Sequence, residues 1–315
     1  MPFMKSDRCR GAIWGQFVGD AACLGSHWIY DLNELARRYP DGIIGFDPPL
    51  EGHYHWGKRP GELTHYGDAA LLMLESVAEK GRFDAVDFGR RFVALFGSDA
   101  YTGYIDHATR DTLANYRAFC ADHPGEPFSF QSGADDDQPA TVTRLAPVLV
   151  AHADDPGLLD RIAAATRVCQ ASPRAVKYAQ AHATILRELL TGCGLEEALG
   201  RAARITGGEP AQKIREALAA AHLSVRNATE RFGQSCPLAS SFPAAIHAAV
   251  RYETSFVDAI LETARAGGDS AGRAAMIGAW LGTLHGVRCV PKAWRRKLAC
   301  HDLVERDVER LVSGQ

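Results

Sequence analysis

Four short segments of this chain gather side chains able to move protons, hold cations or grip anions. Thr64-His65-Tyr66-Gly67-Asp68 places a hydroxyl, an imidazole, a phenol and a carboxylate within five residues, directly before a strongly apolar stretch. Gly67 there is expected to permit a tight turn, and Asp68 to fall in a first helical turn, where the dipole favours a carboxylate. Asp135-Asp136-Asp137 follows Ser132-Gly133; such a triplet is usually solvated surface, yet it can chelate a hard cation or serve as acid and base. Gly267-Gly268-Asp269-Ser270-Ala271-Gly272-Arg273 reads as an N-cap and as a place where backbone N–H groups receive an anion. Arg273 stands four residues after Asp269, so an ion pair on one helix face is available. In the fourth segment Asp20 interrupts an apolar helix, a costly position unless the carboxylate is partnered. Its expected role is to hydrogen-bond a nearby helix end, with His27 and Trp28 at the helix exit lining a pocket.

The elements that must position these groups are helices. Apolar residues recur with helical period over 10–26, 69–80, 84–96, 174–191, 210–230, 243–251, 255–265 and 271–286, whereas Asn-Gly hairpin turns and period-two runs are scarce. The fold class expected is all-α, as a single compact domain over 1–315. No 30–45-residue period recurs, which argues against a solenoid. Gly11, Gly15 and Gly19 are spaced by four, as are Gly278, Gly282 and Gly286. Each series strips a helix face of side chains, so two helices are expected to meet closely at the centre. Two irregular stretches, 39–67 and 121–139, are rich in proline, aromatic residues and histidine; long loops of that composition are expected to cover a site.

Composition narrows the partners. The net charge of −3 and pI near 6.5 supply no basic excess for nucleic acid or an anionic membrane. Apolar residues reach 46% and charged ones 23%, the balance of a folded protein. The eight cysteines form no CxxC pair and read as scattered thiols of a reducing cytosol. No run approaches a membrane span, so the expectation is a cytoplasmic protein that meets neither membrane nor nucleic acid.

Taken in order, these segments resemble the ADP-ribosylglycohydrolase family. GAIWGQFVGDAACLG is similar to its opening helix, THYGDAALLMLESV with FDAVDFGRRF to its metal-carrying helix and the next, and GGDSAGRAAMIGAWLGTLHG to its closing glycine-rich helix. TRLAPVLV, the Ala171-Ser172-Pro173 segment and SSFPAAIHAAVRYETSFVDAILETA follow the same plan, so the likeness covers about residues 10–290. The HWIYD, THYGD and GGDSAGR variants are nearest the branch that includes J1-type crystallins. The resemblance implies an all-α fold and an ADP-ribosyl-type or other small-molecule substrate.

Family hydrolases hold two Mg²⁺ or Mn²⁺ ions with a Thr-Asp-Asp run and an Asp-x-Asp-Thr run. Here the first falls on Thr64, His65 and Tyr66, and the second keeps Asp269 but places Ala271 and Gly272 at its other ligand positions. The resemblance thus implies Mg²⁺, with Thr64 and Asp269 as the retained ligands, and a single ion on Thr64, Asp68, Asp269 and the triplet as one form. In another, His65 and Arg273 replace the metal charge. Asp68 or Asp269 then activates water and Asp136 assists, as the catalytic carboxylates of a glycosidase. His27, Trp28, His65, Tyr66, Asp135, Asp137, Ser270 and Arg273 bind substrate in a shared cavity, with Trp28, Tyr66 and Trp56 stacking on rings and Arg59 meeting a phosphate. Two functions follow: hydrolysis of a ribosyl N- or O-glycosidic bond, or a non-catalytic binding or crystallin-like structural role on the same fold.

Overall fold

The computed structural model describes residues 2–314. The first half of the chain forms α1 (Pro2–Ala22), α2 (Leu32–Arg38), α3 (His65–Lys80), α4 (Ala85–Phe96), α5 (His107–Asp122), α6 (Ala146–His152) and α7 (Leu158–Arg167). The second half forms α8 (Pro173–Thr191), α9 (Leu195–Thr206), α10 (Gly208–Ala219), α11 (Val225–Phe232), α12 (Leu238–Arg251) and α13 (Phe256–Arg265). It closes with α14 (Ser270–His285), α15 (Lys292–Lys297) and α16 (His301–Ser313). Among the described residues β structure is limited to two isolated bridges, Ile29 with Gly268 and Ala134 with Gln170. One hydrophobic core runs from Cys9 to Val312. None of the described helices is long and apolar enough to cross a membrane.

Local chemistry sets where the helices begin. The side chains of Asp31, Thr64, Asp84, Asp106, Ser224, Ser255 and Asp269 each accept a backbone N–H as N-caps, satisfying donors that the first turn leaves free. Thr64 explains why α3 starts at His65 rather than at 69. Ser224 explains why 210–230 is two helices and not one: its Oγ accepts Asn227 N at 3.2 Å and restarts the chain as α11. The helices at 107–122, 158–167, 195–206 and 301–313 were not anticipated, because each buries only a narrow stripe and is otherwise charged or polar.

At the centre α1 and α14 lie antiparallel with their backbones touching. A Cβ on Gly15 would lie 1.9 Å from the Gly278 carbonyl oxygen, and one on Gly278 would lie 2.0 Å from that of Gly15. The same exclusion pairs Gly11 with Gly282, at 1.9 Å, and Gly19 with Ala274, at 2.2 Å. Close backbone contact therefore explains the four-residue glycine spacing. Gly286 ends the series as the C-cap of α14, at φ +78°, and still abuts α1: a Cβ on Gly11 would lie 2.8 Å from its carbonyl carbon, and one on Gly286 would lie 1.9 Å from Asp7 Oδ2.

Gly15→Ala and Gly200→Ala should have opposite effects. The first drives a methyl into a carbonyl and should lower stability by about 3 kcal/mol or more. The second sits in α9 with nothing nearer than the Arg204 guanidinium at 3.7 Å and should raise it by up to about 1 kcal/mol. Urea denaturation of both variants checks the pair.

A second test concerns His182 of α8, fully buried against Trp280 with neither ring nitrogen bonded. Burial pushes its pKa down to about 3. Between the ordinary value and about 3 the unfolded chain takes up a proton that the folded one refuses, so stability falls as pH falls. His182→Leu should lose less stability between pH 7 and 5 than the parent, by denaturation at both pH values.

Candidate active site

The close contact of α1 with α14 brings the exit of one helix to the entry of the other. Trp28 N donates to Gly268 O at 2.7 Å and Gly268 N to Ile29 O at 2.8 Å. Gly268 adopts φ +65°, and a side chain there would strike Gln234 O at 2.3 Å. The Ser26 and Ser270 hydroxyls meet at 3.2 Å. Trp28 itself is held at φ +64°, a left-handed conformation unusual for a bulky residue and one maintained only by its surroundings.

Asp20 ties α3 into this junction. Its carboxylate accepts the Thr64 hydroxyl and, at 2.8 Å, the Thr64 backbone N–H, so the buried acid does bond a helix end. The Thr64 hydroxyl in turn accepts Tyr66 N at 3.2 Å. Gly67 is helical and makes no turn; its lack of a side chain makes room for Asp20 Oδ2, which would lie 2.4 Å from a Cβ.

Around the junction His27, His55, His65, Tyr66, Asp106 and Asp269 are buried together. His27 Nδ1 lies 3.5 Å from Asp269 Oδ1 and accepts Ala271 N at 3.3 Å. His65 Nε2 lies 3.5 Å from Asp106 Oδ2. Asp269 Oδ1 accepts Gly272 N at 3.3 Å as the cap of α14, while its Oδ2 has no partner. Burial pushes Asp269 up to about 6 against the pull of Arg273. It would raise Asp106 too, but His65 and the Thr109 donors outweigh it and hold that acid at about 2. Tyr66 is pushed well above the usual phenol range by burial and by the charges of Asp269, Asp106 and Asp136, so its hydroxyl, also unpartnered, keeps its proton. Burial and the neighbouring imidazoles push His27 and His55 well down, to the neutral form.

Arg273 is equally buried, but its guanidinium donates to the carbonyls of Gly267 and Gln234 and makes no ion pair with Asp269. The fork is drawn to one carbonyl of the turn before α14 and one of the loop between α11 and α12. The other acids stand apart. Asp68 accepts Lys58 Nζ at 2.7 Å and Tyr101 OH at 2.8 Å, and opens with Trp56 on a cavity of about 890 Å³. Asp135, Asp136 and Asp137 line a different cavity of about 540 Å³ with Arg174. Asp137 pairs with Arg174 at 3.1 Å; Asp136 accepts Gln138 N and Gln170 Nε2 and lies 3.4 Å from His107. Arg59 and Trp56 are exposed, Arg59 against Glu62 at 3.2 Å. His55, His53, Tyr104 and Asp106 belong to the buried group or its cover and were not singled out from sequence. The signal available was the His-Tyr-His-Trp run at 53–56 inside a loop already expected to cover a site.

Residues 3–315 match the profile described as ADP-ribosylglycohydrolase, and the chain belongs to that family. Crystallin J1A of Tripedalia cystophora is 25% identical over 91% of each chain. ADP-ribosylarginine hydrolase Tri1 of Pseudomonas putida (strain GB-1) is 24% identical over 98% of this chain and 79% of its own. ADP-ribosyl-[dinitrogen reductase] glycohydrolase of Rhodospirillum rubrum is 23% identical over 98% and 95%. A solved ADP-ribosylglycohydrolase-related protein complex matches 99% of both chains with a TM-score of 0.73 at 21% identity, which establishes the shared fold.

Because Asp20 carries the join between α1 and α3, Asp20→Ala should cost about 2–3 kcal/mol, the usual worth of hydrogen bonds to a charged group. The denaturation midpoint should fall with little change in slope.

Proposed function

We propose that the chain hydrolyses a ribosyl N- or O-glycosidic bond on an ADP-ribose-like or nucleoside-like substrate. The observation that carries the reading is the unpartnered Oδ2 of buried Asp269 and the unpartnered Tyr66 hydroxyl, on residues that both pack against His27. The family of the chain and the hydrolases among its relatives support it.

Glycosidic cleavage passes through an oxocarbenium-like transition state and needs a proton donor for the leaving group and an acceptor for the attacking water. Asp269 takes the proton of a water directed at the anomeric carbon. Tyr66, a neutral phenol, donates to the departing atom, and ionised Asp106 stabilises positive charge on the ribose. Trp28, partly exposed beside Tyr54 and Tyr104, supplies a stacking face. Asp68, held by Lys58 and Tyr101, stands outside this arrangement and positions the loop carrying Lys58.

The donors do not fit the family's pair of hard cations. Thr64 Oγ1 is committed to Asp20 and the Tyr66 amide, Ala271 and Gly272 have no side-chain ligand, and Asp269 keeps one free oxygen. Mg²⁺ needs several oxygen ligands in near-octahedral array. No step of the mechanism is assigned to it.

A second reading, a non-catalytic role like that of the crystallin relatives, draws on the complete burial of Asp269, which lines neither surface cavity. Chromatographic release of ADP-ribose or ribose from ADP-ribosylarginine and nucleosides separates the two. The parent should turn over, and Asp269→Asn should lose at least about 10²-fold in kcat with the fold intact. A parent that stabilises on adding ADP-ribose yet cleaves nothing supports the second reading, and an Asp269→Asn variant as active as the parent overturns the assignment of the base.

A further inference from the structure

The buried histidines pose a problem that the hydrolase reading leaves unsolved. His27, His55 and His65 are at most 3% exposed, yet His27 Nε2 and both ring nitrogens of His55 and His65 have no hydrogen-bond partner. Buried polar atoms are ordinarily satisfied. Five such atoms lie on three neighbouring rings, and of them only His65 Nε2 has a carboxylate near it, Asp106 Oδ2 at 3.5 Å.

We propose that His27, His55 and His65 form a three-histidine site for one borderline divalent transition-metal ion of the Zn²⁺ or Co²⁺ class. Imidazole nitrogen suits these ions and not Mg²⁺ or Ca²⁺. One ligand atom from each ring lies within 4.8 Å of the others. Three imidazoles at 2.0–2.1 Å from a tetrahedral ion have their nitrogens about 3.3 Å apart and their ring centres about 5 Å apart. The observed ring centres stand at 5.5, 5.7 and 6.0 Å, a nearly equilateral triangle that binding would draw inward by up to about 1 Å.

The surroundings match those of a metal site. Ligating histidines characteristically turn the second ring nitrogen to a carboxylate, and here Asp269 lies 3.5 Å from His27 Nδ1 and Asp106 lies 3.5 Å from His65 Nε2. His27 Nδ1 accepts the Ala271 N–H in the metal-free chain, so ligation through Nε2, its unpartnered atom, moves the ring proton to Nδ1, which exchanges that bond for Asp269 Oδ1; His65 faces Asp106 through Nε2 and frees Nδ1. His53 is a positioning residue for the other two: its Nε2 donates to His27 O at 2.6 Å and its Nδ1 accepts His55 N at 3.0 Å. The Trp28 ring covers the triangle, with centroids 4.3, 5.1 and 5.8 Å from His27, His65 and His55. Three protein ligands leave a fourth position for water or a bound ligand. His65 stands where the family pattern has a carboxylate, but the three ligands proposed are imidazoles, and the site stands whether or not the chain is a hydrolase.

Chelator-stripped full-length protein titrated with Co²⁺ tests it. The expected result is one equivalent bound per chain, with the intense visible d–d band of a four- or five-coordinate ion, and competition by Zn²⁺ but not by Mg²⁺. His55→Gln and His65→Gln should each abolish the band. Asp106→Asn should weaken Co²⁺ binding 10–100-fold, and the exposed His107→Ala should leave it unchanged. Because a histidine variant could fail to fold, proton NMR of the parent Co²⁺ complex provides a second readout: three paramagnetically shifted, exchangeable imidazole N–H signals are expected. No Co²⁺ band, a band that survives His55→Gln in folded protein, or a different number of shifted signals would overturn the site. Turnover enters none of these measurements, so failure of the metal site and failure of the hydrolase reading are distinct results.

Discussion

Everything in this molecule depends on two helix backbones being allowed to touch. At Gly11 with Gly282 and at Gly15 with Gly278 each carbonyl occupies the space that a Cβ on its partner would need, and the Ala274 carbonyl does the same at Gly19. The contact costs helix propensity at every glycine, about 1 kcal/mol relative to alanine, and dispersion along the shared backbone surface must offset it. Its geometric consequence matters more. The exit of α1 and the N-terminus of α14 are fixed within one hydrogen-bonded junction, so residues 26–29 and 267–270 form a single rigid platform.

The platform carries an unusual load of polar groups for a place so well shielded from water. Asp20 resolves its own burial by bonding Thr64 and so anchors α3. Asp106 resolves its burial by capping α5. The imidazoles, the Tyr66 hydroxyl and one oxygen of Asp269 remain unsatisfied, while Trp28 is held in a left-handed conformation above them. Unpaired buried groups and backbone strain in one place mark a site that the rest of the fold stabilises. The loop from 39 to 64 closes it by inserting His53 and His55 beneath the aromatic cover.

Much of this was legible in the residues. The glycine spacing announced the central helix pair, Asp20 announced a bonded helix end, and Asp269 announced a cap, because each depends on neighbours close in sequence or on a strict period. The glycohydrolase likeness rested on the same local motifs. Less legible were the amphipathic surface helices, whose apolar stripes are narrow, and the break at Ser224, where one hydroxyl outweighs a continuous pattern. Grouping Asp68 with the acidic triplet in one cavity could not be checked by spacing. The fold opens them on two separate cavities.

Residue order alone therefore determined the helical class, the family and the two helices that touch, since helical period and steric room are properties of short stretches of chain. Tertiary structure alone decided that His55 joins His27 and His65, that Asp106 stands behind one of them, and that Arg273 turns to carbonyls rather than to Asp269. Those choices join groups from separate helices and loops. They follow from which buried donors and acceptors are within reach once the chain has packed, a competition that no local pattern records.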